Sequence, residues 1–207
     1  MKGIKNALKN RLDKGLPGWQ AHLRMSTSVH QNARISPPQR TRKAAVLILL
    51  FPNQDEWWLP LILRPTYDGV HSGQMALPGG KVEPEDQDLI ATALRETYEE
   101  IGVRVDRDQV VGVLSDLYIP PSNITVTPVL AICSQVPRYY PDPNEVAGIT
   151  EVSIYDLQHP ENYLIKEIQV FNGSLLKAPS FQIQGKTIWG ATAMMLSELL
   201  FIMKEID

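Results

Sequence analysis

The sequence predicts an α+β fold, and three observations predict it. Short apolar or alternating runs, each of strand length, recur along most of the chain. One helix-like stretch, Leu89 to Ile101, stands among them. A long apolar helix, Ile188 to Lys204, closes the chain and can cover one side of a sheet through Ile188, Met195, Leu199 and Ile202.

The chain has 207 residues, 43% of them apolar, enough for one domain with a substantial core. A formal net charge of −3 gives no long-range attraction for nucleic acid or an anionic membrane. No apolar stretch approaches the roughly 18 residues of a membrane span, and the N-terminus lacks the apolar core of a secretory signal. The single cysteine, Cys133, excludes an internal disulfide and reads as a buried structural thiol. A cytoplasmic protein is expected.

Residues 2–14 place Ile4, Leu8 and Leu12 on one stripe of an amphipathic helix, which ends at Gly15-Leu16-Pro17-Gly18. Such a helix packs on its own domain or on a second subunit, so a homodimer is a possible assembly. Residues 19–43 read as a polar linker; its Arg40, Arg42 and Lys43 are an alternative source of charge for an anionic ligand. Ala44–Phe51 reads as a buried strand, Pro52-Asn53-Gln54-Asp55 as a turn, and Trp57–Arg64 as the partner strand. Trp57 and Trp58 suit either a hydrophobic edge or stacking on a base.

Beyond the central helix, 109–119 and 124–134 read as strands, followed by a loop at Asp142–Val146 and a strand at 149–154. A short helical turn is expected at 155–157. Asn172-Gly173 predicts a hairpin between 165–171 and 175–181, and Gln184-Gly185 a further turn. Trp189, Met194 and Met195 are read as core.

The centre of the chain carries the chemistry. Gly79-Gly80 allow a positive φ or the close approach of a ligand to the backbone. Asp86 is the expected N-cap of the following helix and Gly102 its terminating glycine. Ile90, Leu94, Thr97 and Ile101 form one stripe. Glu96, Glu99 and Glu100 fall within an arc of roughly 100° beside it. Like charges at these spacings cost about 0.2–0.5 kcal/mol per pair, and the helix dipole disfavours anions so late in a helix. A hard divalent cation removes both penalties, and Mg²⁺ favours a few carboxylates, retained waters and phosphate oxygens. An isolated E-x-x-E-E is otherwise a solvated acidic face. The preceding double glycine, the adjoining Arg95 and the closing glycine favour the metal reading.

Residues Gly80 to Val103 resemble the Nudix box. Its second half is matched by Arg95, Glu96, Thr97, Tyr98, Glu99, Glu100, Ile101, Gly102 and Val103. Thr97 replaces an aliphatic residue, the spacer from Gly80 to Arg95 is one residue longer than usual, and Asp86 stands for the expected spacer glutamate. The long spacer and T-A-L-R-E from Thr92 to Glu96 are similar to the coenzyme A pyrophosphatase branch. So is the stretch before the box, through His71, Gly73, Gln74 and Pro78-Gly79-Gly80, although Gly69 stands where that branch has arginine and Leu77 where it has phenylalanine. Ile188-Trp189-Gly190-Ala191-Thr192-Ala193 resembles the end of the same branch.

The resemblance implies a mixed sheet sandwiched between helices, with the box as a loop–helix–loop. The Nudix domain is expected over 44–207, with helix and linker 1–43 packing on it. The resemblance implies Mg²⁺ or Mn²⁺ on Glu96, Glu99, Glu100 and the Gly80 carbonyl, with Arg95 orienting the glutamates. Glu145, or else Glu151, is the expected base. Arg64, His71, Gly73, Gln74, Gly79 and Lys81 are the expected substrate contacts, Arg64 or Lys81 supplying the charge that Gly69 lacks. His71 is alternatively a structural loop residue or a base. The implied reaction cleaves the diphosphate of coenzyme A or an acyl-CoA into 4′-phosphopantetheine and adenosine 3′,5′-bisphosphate. ADP-ribose or a dinucleotide such as NADH is the alternative substrate, and a non-catalytic nucleotide-binding module is a third reading.

Overall fold

The computed structural model describes residues 2–27, 37–171 and 173–206. Strand β1 (Arg42–Asn53) is its axis. The unbroken apolar run here is buried because both faces of the strand are covered. Ala44, Val46, Ile48 and Leu50 enter one core, and Ala45, Leu47 and Leu49 enter a second on the opposite face.

β1 runs parallel to β7 (Ile124–Ile132). Its other edge is divided. Ala44–Val46 pair with β4 (Gly79–Lys81), and Phe51–Asn53 pair with β2 (Glu56–Leu63). β2 also pairs with β3 (Met75–Ala76) and β8 (Gly148–Ser153), while β7 pairs with β5 (Val110–Val113) and β6 (Leu117–Ile119). One parallel pair among antiparallel ones makes the sheet mixed. A second, antiparallel sheet contains β9 (Tyr163–Gln169), β10 (Leu175–Ile183) and β11 (Lys186–Trp189).

Helices α1 (Lys2–Leu12), α2 (Trp19–His22), α3 (Leu89–Ile101), α4 (Ile154–Gln158) and α5 (Gly190–Lys204) complete the fold. α3 lies over the core of Ala45, Leu47 and Leu49, and α5 over the other. The expected α+β architecture, a mixed sheet between helices, is what forms. Leu8 of α1 is fully buried in the α5 core, and Ile4 and Leu12 pack against it. No helix among the described residues is long and apolar enough to cross a membrane.

Several expectations are corrected. Asp88, not Asp86, caps α3, accepting the Ala91 amide at 2.8 Å. Asp86 is drawn away by Arg95. Gly79-Gly80 lie on strand β4 rather than in a loop, because β1 offers them a free edge. The strand expected over 109–119 breaks between β5 and β6, where Leu114 turns into the core. Ile188 and Trp189 belong to β11, so α5 starts two residues later than expected. Gln184 and Gly185, both at positive φ, close a β10–β11 hairpin that the extended pair completes. Asn172 of the predicted β9–β10 turn lies outside the described residues, but Gln169 pairs with Leu175 across it.

The polar linker is also more ordered than expected where it is described. α2 and the 3₁₀ turn Leu23–Met25 bury Ala21, His22 and Met25. Their anchor is Glu198 of α5, a carboxylate with no exposed surface. It accepts the Gly18 amide at 2.9 Å, the Ser115 hydroxyl at 2.6 Å and the Ser115 amide at 3.1 Å. A carboxylate this deep requires such partners.

Candidate active site

Pairing of β4 with β1 fixes the floor of the site. Gly79, at φ 146°, sits so close to β1 that a Cβ would lie 2.3 Å from the Ala45 carbonyl oxygen. A Cβ on Gly80 would lie 2.4 Å from both oxygens of Glu96. Only glycine lets α3 lay its carboxylates directly on this strand.

Glu100 is buried and accepts the Gly79 amide at 2.7 Å. Burial pushes its carboxyl up to about 7, against the pull of that hydrogen bond and of Arg64; Glu96 and Glu145 add repulsion. Burial also raises Glu96, which Arg95 partly offsets. Glu145, from the loop before β8, thus joins the two box glutamates electrostatically.

Arg95 stands behind them. Its Nε and Nη2 donate to the two oxygens of Asp86 at 3.0 and 2.9 Å, and Nη2 also donates to the Lys81 carbonyl at 3.0 Å. Nη1 donates to Glu96 at 3.1 Å and to Glu99 at 2.8 Å. The guanidinium holds the Asp86 carboxyl well below the usual carboxylate range. It therefore ties the spacer to the helix.

A cleft of about 820 Å³ opens over this corner. Glu96, Glu100, Glu145, Gly79, Gly80, Lys81, Arg64, His71 and Gln74 all line it. Glu99, Arg95 and Gly73 do not: Glu99 is exposed with its carboxylate on Arg95. Glu151 lies away on β8 and accepts the Tyr139 hydroxyl at 2.8 Å. Trp57 and Trp58 are on β2, outside the cleft. His71 has a left-handed backbone, φ 70°, and its Nδ1 is 3.3 Å from Gln74 Oε1; burial lowers its pKa.

Among the described residues, no three His, Cys, Asp or Glu side chains form a ready-made metal cage. The donors do fit a hard cation of another kind. Glu96, Glu100 and Glu145 are oxygen donors in mutual repulsion, Glu100 buried, Glu96 half-buried and Glu145 exposed, all lining the same open cleft. Mg²⁺-type sites use one or two carboxylates, waters and substrate phosphates rather than a closed protein cage.

Several cleft residues escaped the sequence reading. Trp189, expected in the core, is half-buried and lines the cleft, as does Thr192, whose hydroxyl donates to the Met75 carbonyl at 3.1 Å. Met194 and Met195 are core as expected, though Met195 also reaches the cleft wall. Cys133 is half-buried beside the α3 core.

The NUDIX domain family model matches residues 41–170. NudL of Yersinia pestis (strain Pestoides F), an uncharacterized Nudix hydrolase, is 33% identical over 158 residues, covering 76% of this chain and 78% of that protein. NudL of Yersinia pseudotuberculosis (serotype O:1b) matches to the same extent, 33% over 158 residues. Among solved structures, a MutT/nudix family protein from Enterococcus faecalis has a TM-score of 0.54 at 15% identity, covering 86% of this chain and 68% of that one. RenU, a Nudix hydrolase from M. smegmatis, has a TM-score of 0.53 at 17% identity, covering 81% and 88%. Those two structures bear on the fold.

The chain belongs to the Nudix family. It is a hydrolase acting on phosphoric anhydrides, of the class that cleaves nucleoside diphosphate derivatives. Nudix hydrolases generally need divalent metal ions.

Proposed function

We propose that the protein hydrolyses the diphosphate of coenzyme A or an acyl-CoA, releasing 4′-phosphopantetheine and adenosine 3′,5′-bisphosphate. One observation carries this reading. Three separate stretches that resemble the coenzyme A branch meet in one cleft: His71 and Gln74 before the box, Glu96 and Glu100 within it, and Trp189, Ala191 and Thr192 near the end.

Glu96 and Glu100 would hold Mg²⁺ or Mn²⁺, with the Gly80 carbonyl and Glu99 as further donors. A divalent metal held there would supply neutralisation of the diphosphate charge and acidification of a water. Arg95 keeps Glu96 oriented through its grip on Asp86 and does not touch substrate. Glu145 takes the proton from the attacking water. Arg64, Lys81, Gln74, Gly79 and His71 position the diphosphate and its flanks, while Gly73, outside the cleft lining, shapes the turn that carries His71 and Gln74. The catalytic unit is 44–207, with 1–43 as a supporting helix and linker whose last residues open β1 and reach the cleft at Arg42, and the protein acts in the cytoplasm, alone or as a homodimer.

The test is product analysis by mass with coenzyme A, ADP-ribose and NADH, each with Mg²⁺ and with Mn²⁺. Preferred cleavage of coenzyme A to the two named products supports the reading. Preferred cleavage of ADP-ribose or NADH overturns it in favour of a second one, which Gly69 supports: it lines the cleft where the branch carries a guanidinium. Glu99→Gln with unchanged turnover removes Glu99 from the metal site.

A further inference from the structure

Two arginines lining the cleft have no carboxylate partner among the described residues, unlike Arg11, Arg95 and Arg107. Arg64 is at the glutamate end, where its charge bears on Glu100. Arg42 is at the other. It opens β1 opposite Ile124 of β7, is exposed, and donates from Nη2 to the Ser122 carbonyl at 2.5 Å. That bond fixes the guanidinium at the rim and leaves its remaining N–H groups free.

Alternation along the two strands defines what lies between. Arg42, Ala44 and Val46 share one face of β1 and line the cleft, as do their neighbours Ile124 and Val126 on β7. Gly80 pairs with Ala45, three residues from Arg42, which is roughly 10 Å of strand. The cleft is therefore lined by the box carboxylates, by an apolar floor on β1 and β7, by Trp189 and by Arg42, a cation without a carboxylate partner among the described residues; Glu83, also in the lining, lies 3.9 Å from Arg95. An apolar surface beside an aromatic ring suits a base and sugar. An oriented, unpaired guanidinium suits a phosphate, which it can bind through two N–H groups.

We propose that the β1–β7 floor and Trp189 receive the nucleoside half of the substrate and that Arg42 binds a second phosphate on that nucleoside. Arg42 is then a specificity-determining residue, and the substrate class is a diphosphate derivative of a nucleoside already phosphorylated on its ribose. This rests on the proposed nucleotide cleavage only in placing a nucleoside in this cleft.

The probes are adenosine 3′,5′-bisphosphate and AMP, titrated calorimetrically into the metal-free full chain and into R42A, R42K and R40A. The wild type is expected to bind the bisphosphate about 10- to 100-fold more tightly than AMP, the range of a charge-assisted hydrogen bond. R42A should bring the two probes to within about threefold, R42K should keep part of the preference, and R40A all of it. Circular dichroism verifies that R42A is folded. No preference in the wild type, or an undiminished one in R42A, overturns the assignment. An Arg42-dependent preference in a protein that does not cleave coenzyme A upholds the subsite and refutes the proposed substrate. Cleavage of coenzyme A without that preference does the reverse.

Discussion

The carboxylate of Glu198 lies 3.0 Å from Nε2 of His22, and both side chains are buried. The pair joins the last helix to the segment before β1. Burial alone would raise the Glu198 carboxyl; the hydrogen bonds from His22, Ser115 and Gly18 outweigh it and hold the carboxyl below its usual value. Removing the carboxylate strands the four groups of these three residues that bond it. Glu198→Ala is therefore expected to lose about 3–5 kcal/mol in urea unfolding. Because the folded-state pKa is depressed, the contribution is present above the unfolded carboxyl value near 4.5 and is lost as pH falls below it. The mutant's acid-unfolding curve should consequently lie closest to wild type at the lowest pH.

Gly79 and Gly80 should fail differently when changed to alanine. At Gly79 the new Cβ meets β1 backbone and the φ is one that side chains rarely adopt, so about 2–4 kcal/mol of stability should be lost. At Gly80 it meets only the Glu96 carboxylate, which can swing aside. Gly80→Ala should keep most of its stability and lose turnover. Thermal melting and turnover, measured on both variants, separate the two.

Arg95→Lys keeps a charge but cannot span Asp86, Glu96, Glu99 and the Lys81 carbonyl at once. The expected cost is about 10- to 100-fold in metal affinity or turnover. Calorimetric titration with Mn²⁺ shows whether the loss is in metal binding.

Glu100 sets a pH dependence. With its carboxyl pushed up to about 7, a metal must displace a proton below that pH. Apparent metal affinity should fall about tenfold per pH unit below about 7, and Glu100→Gln should abolish most of the dependence. The sign for stability is opposite to that of Glu198. A raised pKa contributes stability that is full below the unfolded value and lost as pH rises through the folded one. The metal-free protein should melt at a lower temperature at pH 8 than at pH 6, and Glu100→Gln should remove most of that difference.

The legible part of the site is the part made locally. Glu96 and Glu100 lie one turn apart on one helix, so spacing alone brings both to the cleft, whereas Glu99 beside them faces out to Arg95. Glu145 is expected only through the family resemblance and Trp189 only as core, because both reach the cleft through β8 and β11, whose pairing depends on the whole fold. The cap was misplaced for the same reason. Asp86 and Asp88 are equivalent by local rules, and Arg95, with the Thr92 hydroxyl and the Glu83 amide, claims the first and leaves the second to the helix. The strands around β1 were plain because burial on both faces leaves no polar interruption. The short segment Trp19–Met25 read as linker because its buried partner, Glu198, is nearly at the other end of the chain.

That separation orders events during synthesis. β1 is made early, yet its parallel partner β7 and the wall residue Trp189 leave the ribosome much later. Non-local pairing of this kind closes slowly because loop entropy is lost before contacts reward it. A nascent chain can thus carry a complete glutamate box with no cleft beneath it. Because Trp189, Thr192 and Met195 complete the cleft lining, a chain interrupted before α5 is expected to hold the glutamate box without the full cleft.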